Sequence, residues 1–209
     1  MNLSDLRAAA RRRLDDTVQP YGWTDEDLDA WINEACREAS LRGNWTRQLL
    51  TVAVVSGTAT TTLDASVVYV ERIKLASDGR ILTRKTRDWL DARCFNWEAT
   101  TGTPTQFFIQ GRELTLYPKP DANDTLTIEA LCTPALLSSD SAKPDLDESY
   151  HRQLLEWVMY WAGQQRDVDF TLPNPEQYEA NFTRYFGPRP SARVLQAWLE
   201  YGSSSSATQ

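Results

Sequence analysis

The sequence predicts an α+β fold: a helical bundle formed by N- and C-terminal helices, an inserted antiparallel β-domain and an extended C-terminal arm. Three observations predict it. Apolar residues recur at helical spacing near both ends of the chain, and they alternate through the middle. A Gly187-Pro188-Arg189-Pro190 stop then precedes a last apolar stretch. The expected boundaries are 1–47 for the first helices, 48–134 for the β-domain, 135–187 for the later helices and 188–209 for the arm.

Residues 3–16 carry Leu3, Leu6, Ala10 and Leu14 on one side of a short helix. Pro20 to Trp23 is a turn. Thr24 is placed to cap the second helix with Asp27 three residues on, and Trp23 and Leu28 are placed to staple it. Leu28, Trp31, Ile32, Ala35 and Ala39 continue that helix until Gly43. From Gln48 the period drops to two, through Leu50, Val52 and Val54, then a Thr-rich return to Leu63. Val67 to Leu75 is a further strand, and Ser77-Asp78-Gly79-Arg80 a hairpin turn. Thr86 is placed to cap a short helix with Trp89, Leu90 and Phe95 on its inner side.

Trp97 to Pro134 reads as three short strands and two turns. Phe107 and Ile109 share a face, Gly111-Arg112 suits a type II′ hairpin, and Leu114 and Leu116 face in. Pro118, Pro120 and the run Asp121 to Asp124 stop the pairing before Leu126, Ile128 and Ala130 resume it. Asp147 to about Gln165 is a strong helix with Tyr150, Leu154, Leu155, Val158, Trp161 and Ala162 on one face. Pro173 and Pro175 break the chain. Pro175 opens a last helix striped by Tyr178, Phe182, Tyr185 and Phe186.

Little of this sequence carries reaction chemistry. His151 is the single histidine, so a catalytic triad or a two-histidine metal site lacks its partners. It sits in the first turn of a helix, where packing accounts for it. Cys36, Cys94 and Cys132 are odd in number and far apart, as buried or half-buried free thiols are. The acidic clusters Asp25 to Asp29 and Asp145 to Glu148 lie at helix N-termini, where they complement the helix dipole. Asp140, Asp145 and Asp147 lack the Gly and closing Glu of a calcium loop. No Gly-rich phosphate loop occurs. The expectation is no enzyme, no metal and no cofactor.

The net charge of −7 argues against a surface whose main work is holding DNA, but allows an acidic wall past which a duplex slides. Arg7 and Arg11-Arg12-Arg13 have two readings, a solvated helix face partly neutralised by Asp15 and Asp16, or contact with an acidic partner or DNA. The first is favoured, since charge runs usually solvate. No apolar run is long enough to span a bilayer, and the N-terminus lacks an apolar signal stretch, so synthesis in the cytoplasm is expected. Eight Trp and eight Tyr are many for this length; much of this must be core, and both residue types also anchor interfaces.

The middle of the chain resembles the head–tail connector (portal adaptor) proteins of tailed bacteriophages. Their order of a Trp, a Gly-x-Pro, an alternating strand, a Tyr-Pro-x-Pro and another strand ending near Pro is matched here. The elements are Trp97, Gly102-Thr103-Pro104, the strand to Ile109, Tyr117-Pro118-Lys119-Pro120, and Leu126 to Pro134. The opening helix and the starts at Trp23 to Leu28 and Tyr150-His151-x-x-Leu154 fit as well, so the resemblance runs to Gly187 and ends there. It implies a structural virion protein at the head–tail interface, a ring of twelve copies under the portal. The implied partners are the portal protein, tail nozzle or tube proteins and further copies of the chain. DNA would pass a central channel without specific binding, and no membrane is involved. The helical part would face portal or channel and the β-part the periphery or tail.

The arm carries Val194, Leu195, Trp198, Leu199 and Tyr201, with 194, 195, 198 and 201 on one helical face. These are the candidate partner-binding residues, with Trp198 as anchor in a groove of the portal or a neighbouring subunit. The competing reading folds the arm back on its own bundle. A free arm would be mobile, and Gly202 to Gln209 has the composition of a disordered tail. A second functional reading is a carbohydrate- or peptide-binding β-module on a helical scaffold, with exposed Trp45, Trp89 and Trp97 as its platform.

Overall fold

A computed structural model describes residues 1–43, 46–165 and 174–201. Trp45, Pro173 and Gly202 to Gln209 lie outside the described residues. The fold is α+β, with six α-helices and both antiparallel and mixed sheets among the described residues. The chain divides into two units. One comprises Met1–Thr46 and Thr133–Pro190, the other Arg47–Cys132 and the chain from Ser191 on.

The first unit holds α1 (Leu3–Arg13), α2 (Asp25–Gly43), α4 (Leu154–Gln164) and α5 (Pro175–Phe186). Both early helices begin with reciprocal caps. Asn2 and Asp5 satisfy each other's backbone amides, and Thr24 and Asp27 do the same. The core is the set of helical stripes: Leu3, Leu6, Ala10 and Leu14, then Leu28, Ile32 and Ala35, then Leu154, Val158 and Ala162, then Phe182 and Phe186. Glu148–Gln153 is a 3-10 helix that feeds α4, so the helix expected from Asp147 begins in a tighter winding. Asp147 closes that start by accepting from the Ser149 amide. Gly163 lets α4 approach α5, since a Cβ there would meet Pro175 Cβ at 2.7 Å. Gly187 ends α5 at φ 89°, a conformation that suits glycine.

The second unit holds β1 (Arg47–Val54), β2 (Thr60–Thr62), β3 (Val67–Leu75), β4 (Thr83–Arg84), α3 (Arg87–Arg93), β5 (Gln106–Gln110), β6 (Glu113–Tyr117), β7 (Asp124–Cys132) and α6 (Ala192–Tyr201). The strands form two sheets, β1-β7-β3 and β2-β6-β5-β4. One core lies between them, with Val70, Ile73, Leu75, Ile128 and Leu126 from the first sheet and Phe107, Ile109, Leu114 and Leu116 from the second. Ile81 and Leu82 bridge to β3 just before the chain enters β4.

Two expectations change here. The β-domain is not wholly antiparallel: β4 pairs parallel with β5. The chain crosses over through α3 and the 3-10 turn Trp97–Ala99 between those strands, as a parallel pair requires. The C-terminal segment is also not an extended arm. Ser191 caps α6 through its hydroxyl and carbonyl, and α6 packs on β3 and β5 of its own chain.

Candidate functional site

The expected partner-binding residues all fall on α6. Its seat has two parts. Leu199 packs against the β-unit core. Arg84, from β4, donates to the carbonyl oxygens of Leu199 at 2.8 Å and Glu200 at 3.3 Å through Nη1, and to that of Val70 at 2.6 Å through Nη2. The guanidinium lies 5.1 Å from the Phe107 ring centroid. No carboxylate pairs with Arg84 among the described residues, and burial pulls its pKa below the ordinary arginine value. The carbonyls at the end of α6 therefore serve as its counter-charge, which is the favourable sign for a cation at a helix C-terminus. Sequence reasoning missed Arg84 because nothing local to Thr83-Arg84 points to a helix more than a hundred residues away.

In that seat α6 is packed and hydrogen-bonded on its own chain, where the expectation was an arm left mobile until assembly. Leu199, half-buried, is the residue that meets the core, whereas Val194 is exposed and Leu195 and Trp198 are half-buried. The side chain of Tyr201 lies outside the described residues.

The tryptophan platform fails on one member. Trp97 is 8% exposed, its Nε1–H donates to Asp91 at 2.6 Å, and its ring meets Phe108 edge-on at 5.6 Å. Trp89 is half-buried. Phe95, expected on the inner side of α3, is instead 99% exposed. Asn96 follows in the left-handed region at φ 53°, which turns the chain so that Trp97 and not Phe95 fills the space against Leu90.

The arginines of α1 are solvated only in part: Arg12 and Arg13 are exposed, while Arg7 and Arg11 are drawn into ion pairs, Arg11 with Asp16 as expected. Arg7 pairs with Asp29 at 2.6 Å and Asp140 at 3.1 Å, and these bonds raise its pKa. Arg11 is buried between Asp16 at 2.7 Å and Asp25 at 2.6 Å. Arg13 reaches Glu156 at 2.8 Å. Arg12 alone of the run is left facing outward without an ion pair among the described residues.

His151 is buried. Its Nε2 lies 3.1 Å from the Leu146 carbonyl and its Nδ1 2.9 Å from the Met1 nitrogen. A ring that donates through Nε2 and accepts through Nδ1 satisfies both contacts and has no nitrogen left for a reaction. Burial pushes the Cys36 thiol up to about 12, far from a reactive thiolate at neutral pH. Among the described residues no three His, Cys, Asp or Glu side chains gather in a metal-binding cluster. No described helix is long and apolar enough to cross a membrane.

The family model of the SU10 adaptor protein matches residues 1–203 of this chain. The chain belongs to that family. Its members are phage head–tail adaptors, so the chain is a phage adaptor protein, a structural protein and a component of the virion. A search of curated proteins returns no match. The SU10 adaptor match runs through the part of α6 that Arg84 holds, so the segment beyond Gly187 lies inside the family's pattern to residue 203.

Proposed function

We propose that the chain is the subunit of a connector ring that sits beneath the portal and joins it to the tail, with DNA passing through its central channel. The observation that carries this reading is the adaptor family match over residues 1–203. The division of the chain supports it. Helices from both ends of the sequence share one core, and a β-unit stands between them in sequence, which we read as a bundle with an inserted β-domain at about 48–134. The work is then binding geometry without a chemical step. Weak contacts repeated around a ring, of which twelve copies are the expected number, add by avidity.

In this reading the partners are the portal protein, a tail nozzle or tube protein and further copies. The duplex meets an acidic chain that does not hold it specifically. The side of α6 that carries Val194, Leu195 and Trp198, which Tyr201 joins by sequence spacing, meets the portal or the next subunit, while Leu199 stays on its own β-unit. The protein is made in the host cytoplasm and ends in the virion. Electron micrographs of the purified chain mixed with portal rings of its phage test this. Added density that continues the portal axis is expected. Bare portal rings at saturating protein would refute the reading.

A further inference from the structure

Two exposed apolar side chains, Phe95 and Val18, have neighbours in sequence whose charge finds no ion pair among the described residues, positive for the first and negative for the second. Phe95 is 99% exposed, on a rigid mount. The Cys94 amide closes α3 on the Leu90 carbonyl, and the Asn96 carbonyl accepts from the Ala99 amide at 3.1 Å and the Thr100 hydroxyl at 3.2 Å. Trp97 already fills the space against Leu90 and Phe108, and Phe95 is not part of that cluster. Six residues earlier, Trp89 is flanked by Lys85 Nζ at 4.4 Å and the Arg93 guanidinium at 5.3 Å from its ring. Arg87 is neutralised by Asp91 and Glu98, but Lys85 and Arg93 have no ion pair among the described residues.

The opposite patch lies on the helical unit. Val18 is 78% exposed and Tyr21 is 41% exposed, on the loop between α1 and α2. That loop is also fixed. The buried Asp16 accepts from the amides of Gly22 at 2.8 Å and Trp23 at 3.3 Å, and Arg11 lies 3.7 Å over the Tyr21 ring. Asp15 and Glu26 are exposed there without an ion pair among the described residues.

We infer that the Phe95 knob, with Trp89, Lys85 and Arg93 of the same short segment of chain, docks on the Val18–Tyr21 loop of a second copy of this chain, where Asp15 and Glu26 receive the two cations. Aromatic and arginine side chains at the centre of a patch with opposite charge across it are the usual anchors of an interface. Knob and loop are different surfaces, so the contact is head-to-tail. Such contacts leave a knob free at one end and a loop free at the other, and they close into rings when the rotation allows. The inference deepens the ring reading above and rests on it.

Sedimentation velocity of the full chain over a concentration series tests it, with Phe95→Ser and Val18→Arg as variants. Both side chains lie outside the cores, so melting temperatures should match the parent. The parent is expected to form species beyond the dimer. Each variant alone should need about 30-fold more protein to associate, the loss typical of one interface anchor. An equimolar mixture of the two variants should form a heterodimer and stop there. The Val18→Arg copy still offers its knob, and the Phe95→Ser copy still offers its loop. A Phe95→Ser chain that assembles like the parent, or a mixture that stays monomeric, overturns the inference and leaves the ring reading standing. A parent that stays monomeric also overturns it, while portal binding is read separately in the micrographs.

Discussion

Arg42 of the helical unit and the short α3 segment of the β-unit deal with charge and aromatic rings in opposite ways. Arg42 has a side chain only 1% exposed, held by Glu38 at 3.3 Å, Glu179 at 3.1 Å and the Thr183 hydroxyl at 2.8 Å, and its guanidinium lies about 5 Å from the rings of Trp157 and Phe182. In the β-unit, Phe95, Lys85 and Arg93 point outward or spend their charge on a half-exposed ring. A unit that satisfies its charges and rings internally is built for rigidity. A segment that leaves a ring exposed beside unpaired cations, as Phe95, Lys85 and Arg93 do, is built for contact.

If that contrast is right, damage inside the helical unit should cost the most stability. Truncating Arg42→Leu leaves Glu38, 4% exposed at its side chain, without its neighbour of the same helix. Arg189 still reaches Glu38 at 3.1 Å, so the cost should fall below the ~3–5 kcal/mol of a buried charge left with no partner. Phe182→Ala removes a ring that is fully buried between Trp157 at 5.0 Å and Phe186 at 4.5 Å, at about 3–5 kcal/mol. Urea melts of both variants check this, and a midpoint unchanged for either would dissolve the contrast. Trp161, expected beside Phe182 in the core, is only partly buried, so Trp161→Ala should cost less.

The middle-sized effect belongs to the seat of α6. Arg84→Leu removes three charge-assisted hydrogen bonds to carbonyl oxygens. A loss of about 1.5–3 kcal/mol is expected, the worth of a hydrogen bond to a charged group. Hydrogen exchange should show it as faster exchange of the α6 amides with the helices of the first unit unaffected. Faster exchange throughout would mean that the two units do not unfold as separate cooperative pieces.

The periodic parts of this fold were legible in the sequence because burial there repeats. β3 spans Val67–Leu75 as its alternation implies, and Pro175 and Gly187 bound α5 as their backbone limits imply. What escaped was set by single long-range choices. Arg84 finds its partners in α6, Asn96 turns Phe95 out and Trp97 in, and the α1 arginines find carboxylates from three other stretches of chain. Charge and turn handedness at one residue carry no period, so a pattern over a window does not reveal them. The candidate partner face was legible as a helix with an apolar side. Which residue of it its own chain would cover was not.

The smallest effect comes from Glu34 on α2, and it sharpens the picture of a unit that has filled its interior with charge. Burial raises the Glu34 pKa above the usual carboxylate value, the neighbouring Glu38 raises it further, and Arg189 and Arg37 oppose both. A carboxyl whose folded pKa is raised binds its proton more tightly folded than unfolded. Stability from this group is therefore greatest below its unfolded pKa of about 4.3 and is lost as pH rises through the raised folded value. At neutral pH the ionised Glu34 is a net cost, reduced by its partial exposure. Glu34→Gln keeps the shape and removes the ionisation, so its melting temperature at pH 7 should sit slightly above the parent's. The gap should narrow and vanish as the pH falls below 4. A variant that is less stable than the parent at pH 7 would show that Arg189 and Arg37 hold Glu34 ionised to advantage, and that this corner of the helical unit is satisfied like the rest.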